Sequence, residues 1–233
     1  MSDKHVLITN FDGNPNVGMF GLATDKFCLV GRAVKEKDLR ELEPVLGVPV
    51  LQVGLYGTEL VGLFCTATSD SILLPDIVSA HELKELKSKL TKLGVTVSVI
   101  KTEHTALGNT ILMNDRAGII SMAYDREAVE AIKRAFPKVK FEQFDLCGLP
   151  TPRSVGIVTN KGGLFSANLP DDEIKKVEKL FGFEIGLGTV NLGSPFVSAG
   201  IVANSNGFVM GRNSSGYELG RADESLGFLN STV

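Results

Sequence analysis

The stretch GIVTNKGGLFS, Gly156 to Ser166, returns forty-four residues later as GIVANSNGFVMG, Gly200 to Gly211. Each copy is a short apolar run, a cluster of turn-forming residues and a second apolar run, which is the pattern of a β-hairpin. Working outward from this pair, the Thr or Asn that ends the first run recurs at Thr24 (LAT), Thr68 (TAT), Asn114 (LMN), Asn160 (VTN) and Asn204 (VAN), at steps of 44, 46, 46 and 44 residues. A glycine stands six residues before the first three markers (Gly18, Gly62, Gly108) and four before the last two (Gly156, Gly200). A fixed period of this length marks a chain built from like units.

The segment after each hairpin repeats as well. Beyond each marker, apolar side chains fall at i, i+3 and i+7: Leu39, Leu42 and Leu46; Leu83, Leu86 and Leu90; Val129, Ile132 and Phe136; Ile174, Val177 and Phe181; and, more weakly apolar, Leu219, Ala222 and Leu226. This spacing lines one face of a helix, with charges such as those of KELKSKLTK and DDEIKKVEK on the other. A further strand-like run begins after four of the helices, at Val48, Val95, Val139 and Phe183, but not after the fifth. HVLITNF from His5 lies at the matching offset before Thr24, so the N-terminal strand is expected to complete the fifth unit. The result is an α/β fold of five ββαβ-type repeats closed into a pseudo-fivefold ring without an open sheet edge at the seam. Boundaries near residues 47, 94, 138 and 182 separate units rather than domains, because one helix and three strands bury too little apolar surface alone. Residues 1–233 are read as one domain. The segments before the marker strands, NPNVG, GTELVG, ALGN, PRSVG and NLGSP, are expected as turns at one end of the ring.

Composition narrows the function. With 43% apolar and 22% charged residues the chain buries an ordinary core, and its formal net charge of -3 disfavours a protein that holds nucleic acid by neutralising phosphates. A basic partner suits it better, and no DNA-binding role is expected. Cys28, Cys65 and Cys147 form no CxxC and are read as free thiols of a reducing compartment. The polar start MSDKHVLITNFDG and the lack of a long apolar run predict a cytoplasmic chain that does not enter a membrane.

FDGNPNVG (Phe11 to Gly18), ALGNTILMND (Ala106 to Asp115) and above all GTVNLGSPFVSAGIVAN (Gly188 to Asn204), together with the closing GYELGRADESLGFL, resemble the translation initiation factor 6 family of the pentein, or α/β-propeller, superfamily. The resemblance runs along essentially the whole chain and, for want of an extended C-terminal tail, is to the shorter archaeal form. It implies a ribosome anti-association factor: a monomeric protein that binds the large subunit, mainly at a basic ribosomal protein of the uL14 type with the sarcin-ricin loop at the edge, and blocks small-subunit joining by its bulk. A part in large-subunit biogenesis is implied too. Neither enzyme activity nor any cofactor or metal is expected. Asn109 in ALGN matches an asparagine on the family's ribosome-facing side; its other reading is a cap for the local turn. Asn14, Asn16, Asn191 and Ser194 are added as ribosome-binding candidates by the fivefold symmetry. Leu63 stands where eukaryotic members tend to carry an arginine, so a charged contact there does not carry over.

Other penteins modify guanidino groups with a late cysteine nucleophile and a histidine, but no cysteine follows Cys147 and no histidine follows His104. Cys28 and Cys65 sit in apolar strands and read as packing residues. GLGTVNLG lacks the GxGxxG spacing and leads into a strand, so it is not a nucleotide loop. His81 and His104 are isolated from other ligands, and Lys84, Lys87, Lys89 and Lys92 read as a solvated helix face.

Overall fold

The computed structural model describes residues 4–229. Strand β1 (Val6–Thr9) precedes the first unit, in which a short helix α1 (Val17–Phe20) leads into the hairpin β2 (Gly21–Ala23) and β3 (Cys28–Gly31), helix α2 (Glu36–Leu46) crosses over, and β4 (Val50–Val53) returns parallel to β3. The second unit repeats the order with α3 (Val61–Phe64), β5 (Thr66–Ala67), β6 (Ser71–Pro75), α4 (Ala80–Thr91) and β7 (Thr96–Ile100). The third has α5 (Leu107–Thr110), β8 (Ile111–Met113), β9 (Ala117–Ile120), α6 (Arg126–Ala135) and β10 (Lys140–Gln143). In the fourth a 3-10 turn (Pro152–Val155) replaces the short helix before β11 (Gly156–Val158), β12 (Gly163–Ser166), α7 (Asp171–Phe181) and β13 (Gly186–Gly188). The fifth has α8 (Val197–Gly200), β14 (Ile201–Ala203), β15 (Phe208–Gly211) and α9 (Gly216–Ser225). Its third strand is β1, parallel to β15 with Val6 opposite Phe208 and Thr9 opposite Gly211. The N-terminal strand thus completes the last blade, as its offset predicts.

The apolar residues bury between blades rather than within them. Leu22, Phe27 and Leu29 of the first unit pack with Ile72, Leu86 and Leu90 of the second. Equivalent clusters join the second to the third, the third to the fourth, the fourth to the fifth, and the fifth back to the first through Val202 and Val209 against Cys28, Leu42 and Leu46. A single unit therefore has half a core on each side and shares each half with a neighbour.

Two layers fix the ring at its ends. At one end the short helices touch in the cyclic order α8, α1, α3, α5, 3-10 turn and back to α8. Their approach requires glycine: a Cβ on Gly18 would lie 1.8 Å from the Ser198 carbonyl oxygen, on Gly62 2.1 Å from that of Gly18, and on Gly108 2.0 Å from that of Gly62. Of the segments expected as turns, NLGSP lies wholly in a turn ahead of α8, whereas NPNVG, GTELVG and ALGN run into the short helices and PRSVG into the 3-10 turn.

The other end corrects the register of the fourth unit. Thr24 Oγ1 accepts from the N–H groups of Lys26 and Phe27, Asn114 Oδ1 from Arg116 and Ala117, and Asn204 Oδ1 from Asn206 and Gly207. In the fourth unit this role falls to Thr159, whose Oγ1 accepts from Lys161 and Gly162. Asn160 is one residue later, so the steps are 44, 46, 45 and 45. Gly156 and Gly200 are therefore not equivalents of Gly18; Arg153 and Ser198 are.

The residues just after the five turn residues, Asp25, Ser69, Asp115, Asn160 and Ser205, meet in a polar network. Ser205 N–H and Oγ donate to Asp25 at 2.7 Å each, and Ser69 does the same to Asp115, also at 2.7 Å. The Asn160 carboxamide nitrogen donates to Oδ2 of both Asp25 and Asp115 at 2.8 Å. One neutral side chain thereby holds two carboxylates from different units.

Four units also carry a tight turn before the short helix. Asp12 and Gly13, Tyr56 and Gly57, and Cys147 and Gly148 are all left-handed, and the fifth unit extends this to Asn191, Leu192 and Gly193. In three of them an acid in the first turn of the next long helix holds the turn's N–H groups: Glu82 takes Gly57 at 3.1 Å, Glu173 takes Cys147 at 2.8 Å, and Glu218 takes Gly193 at 2.9 Å and Leu192 at 3.3 Å. Burial pushes the Glu218 carboxyl up, yet bonds from Ser215, Gly193 and Thr189 outweigh it and hold the group below its usual range. A depressed carboxylate stabilises the fold above its unfolded pKa and ceases to do so as pH falls through the folded value. Glu218→Gln is expected to cost about 1–3 kcal/mol at pH 7, a deficit that narrows on acidification and is read by urea unfolding at pH 7 and in the acid range.

Candidate functional site

The ring of short helices surrounds a cup of about 480 Å³. Its wall is made by the residue five places before each turn residue, namely Met19, Leu63, Asn109, Ser154 and Ala199, with Asn16, Thr151, Ser194 and Phe196 above them. The repeat therefore delivers five different side chains to one circle, two apolar and two polar around a small one.

Arg153 forms the floor. At the position that is glycine in the first three units, its Nη1 donates to the carbonyls of Gly62 at 2.8 Å and Gly108 at 2.7 Å. It also lines a cavity of about 30 Å³ among the inner strands, so the guanidinium separates the cup from the axis of the ring. Burial lowers the pKa of Arg153.

The sequence candidates fall into two groups. Asn109, Asn16 and Ser194 line the cup. The Asn109 backbone N–H closes the helical turn onto Ala106, while its carboxamide makes no hydrogen bond among the described residues; the capping role is not the one it plays. Asn14 and Asn191 are used inside the fold. Asn14 Oδ1 accepts from Asn16 N–H at 2.9 Å, and Asn191 Nδ2 reaches across the seam of the ring to the Pro15 carbonyl at 3.2 Å and Asn16 Oδ1 at 3.1 Å. The symmetry expected to relate Asn109 to these four does not hold, since its equivalents are Met19, Leu63, Ser154 and Ala199.

Two exposed apolar residues of the NLGSPF segment were passed over by sequence reasoning: Phe196, which lines the cup, and Leu192 in the turn before it. Leu192 is 76% exposed with φ of 63°, and Phe196 is 49% exposed. A branched apolar side chain held outward in the left-handed region is uncommon, and the sequence reading of the NLGSPF segment fell on Asn191 and Ser194 instead.

None of the three cysteines lines the cup, although Cys65 lies near enough to Arg153 to feel its charge. Burial pushes the Cys28 and Cys65 thiols up to about 12, and burial followed by the Glu173 charge raises that of Cys147. His5 pairs with Asp223 at 2.8 Å and His104 with the Ala123 carbonyl at 3.0 Å; no thiol–imidazole hydrogen bond occurs among the described residues. Among those residues, too, no helix is long and apolar enough to cross a membrane.

Five three-stranded blades of ββαβ order, closed by the N-terminal strand, define a pentein, an α/β-propeller. The chain belongs to the eIF-6 family, whose sequence model matches residues 6–225. It is 35% identical to the translation initiation factor 6 of Pyrococcus horikoshii over 97% of this chain and 100% of that protein. Against the protein of the same name from Methanocaldococcus jannaschii it is 36% identical, over 94% and 96%. Among solved structures, an agmatine deiminase of C. jejuni aligns with a TM-score of 0.35 and 17% identity over 52% of this chain and 46% of that one.

Proposed function

We propose that the protein is a cytoplasmic translation factor that binds the large ribosomal subunit through the cup and sterically prevents the small subunit from joining. The observation that carries this reading is the chemistry of that end of the ring: an unbonded carboxamide at Asn109 and an exposed aromatic side chain, Phe196, on the wall of an open concavity, with the exposed Leu192 in the turn that precedes Phe196. Apolar anchors ringed by polar groups are the anatomy of a protein–protein contact. A chain of net charge -3 is steered to a basic ribosomal protein of the uL14 type rather than to bare RNA, with the sarcin-ricin loop at the margin. One copy suffices, and a role in large-subunit biogenesis rests on the same contact. No observation favours a guanidino-modifying enzyme: thiols whose pKa is raised, with no imidazole to deprotonate them, are poor nucleophiles at neutral pH.

Purified protein added to separated subunits is expected to reduce the light-scattering rise that accompanies joining, and to sediment with large but not small subunits. Asn109→Asp is expected to weaken that binding about tenfold, the equivalent of roughly 1.4 kcal/mol, with the melting temperature unchanged. Equal cosedimentation of the variant would remove Asn109 from the contact.

A further inference from the structure

The outer strand of each blade presents N–H and C=O groups at a free edge, and at two of the five edges a cation covers them. Gln52 of β4, Val99 of β7 and Leu187 of β13 are equivalent, lying opposite Val30, Leu74 and Phe165. In parallel pairing, alternate residues point their backbone groups outward. Thr96 N–H bonds the Asp70 carbonyl, and Asp76 N–H bonds the Ile100 carbonyl, which leaves Val97 and Val99 facing out. At β4 the outward Gln52 carbonyl is held by Lys89 Nζ of α4 at 2.5 Å; Lys89 is therefore no part of a solvated face. At β13 the Leu187 carbonyl is held by Arg221 of α9, through Nε at 3.3 Å and Nη2 at 3.2 Å.

At β7, as at Ile8 of β1 and Gln143 of β10, no such cation bond forms among the described residues, and at β7 its absence leaves a groove. Counting from the N-caps Ser79, Asp125 and Ser215, α6 has Ala135 where α4 has Lys89, and Ala131 where α9 has Arg221. The space left between β7 and α6 is an open groove of about 730 Å³ with Val99, Ala128 and Ala131 along it. The third unit also lacks the left-handed turn that occupies its acid elsewhere, so Glu127 has no turn N–H to hold. Asp76, Glu103 and Glu127 all line the groove, and none is matched by an ion pair or hydrogen bond from a cation among the described residues. Lys101 and Arg134 also border it, as does His104, leaving the carboxylates in excess.

We infer that this groove is a docking site for a Lys- or Arg-bearing segment of a partner polypeptide. The partner's side chain lays its methylenes along Ala128 and Ala131 and donates its cationic head to the Val99 carbonyl, as Arg221 does at Leu187, within reach of the unmatched carboxylates. An excess of acid disfavours RNA as occupant.

The site is tested by fluorescence anisotropy with a labelled Ser-Arg-Val-Arg-Ser peptide on the full chain. Saturable binding is expected, weakened at least tenfold when citrulline replaces both arginines and by Ala131→Arg, which supplies the missing cation from within. Glu127→Gln, on an exposed side chain, is expected to weaken it about threefold, and amide shifts on titration should centre on Val99 and Ala131. Ala131→Arg should melt no lower than the parent chain and still cosediment with large subunits, which separates this site from the cup. Absence of saturation up to millimolar peptide, equal affinity for the citrulline peptide, or undiminished binding by a folded Ala131→Arg variant would overturn the assignment.

Discussion

Gly62→Ala is expected to lower the melting temperature by roughly 6–12 °C, the counterpart of about 3 kcal/mol in a chain of this length. The added methyl would stand 2.1 Å from the Gly18 carbonyl oxygen and 2.6 Å from that of Gly21. Both are backbone atoms in the neighbouring unit, so no rotamer change relieves the overlap, and the whole helix contact between α1 and α3 must open. The size of the effect comes from closure: a displacement at one joint is carried by the other four. Gly220→Ala is the internal control. It lies within α9 with open space around it, and the substitution is expected to stabilise the chain by about 0.5–1 kcal/mol because alanine favours helix. Opposite signs for the two glycines, read by calorimetry, would establish that backbone approach rather than local propensity governs the ring.

Asn160→Asp is expected to cost about 3–5 kcal/mol at pH 7. The parent carboxamide donates to Asp25 and Asp115 at once, and the substitution withdraws both donors while placing a third carboxylate against the first two. The new carboxyl is held above its ordinary value by its neighbours. A group whose folded pKa is raised contributes stability below its unfolded pKa, about 4 for an aspartate, and loses it as pH rises through the folded value. The variant's deficit should therefore shrink on acidification toward pH 4, where the protonated carboxyl again offers a donor. Urea unfolding at pH 7 and pH 4.5 measures this, and a deficit independent of pH would show that the two aspartates are not held through Asn160.

The units were legible in the sequence because their signals are long: a period near 45 residues with helix faces such as Leu86 and Leu90 or Val177 and Phe181 cannot arise from a short accident. The seam was legible for the same reason, as HVLITNF has the offset of the strands it replaces. The register of the fourth unit was not, since Thr159 and Asn160 are both turn formers and only the hydrogen bonds separate them. That one-residue shift hid the alignment of Arg153 with Gly18, Gly62 and Gly108, and with it the floor of the cup. The short helices escaped because four residues complete barely one turn and show no periodicity. Asn109 was found by resemblance, whereas Leu192 and Phe196 were not, because an outward apolar side chain looks in sequence like one more core residue. The β7 groove depends on what α6 lacks, and a missing Lys or Arg becomes visible only when the blades are superposed.

The central claim is that a closed ring of five blades obstructs the large subunit with its short-helix end. A cryo-electron microscopy map of the protein bound to isolated large subunits tests it most directly. The account predicts a five-bladed density with Asn109, Leu192 and Phe196 against the subunit and the Asp25–Asn160–Asp115 network pointing away. Density bound by the opposite end, or large subunits that carry none at saturating protein, would contradict it.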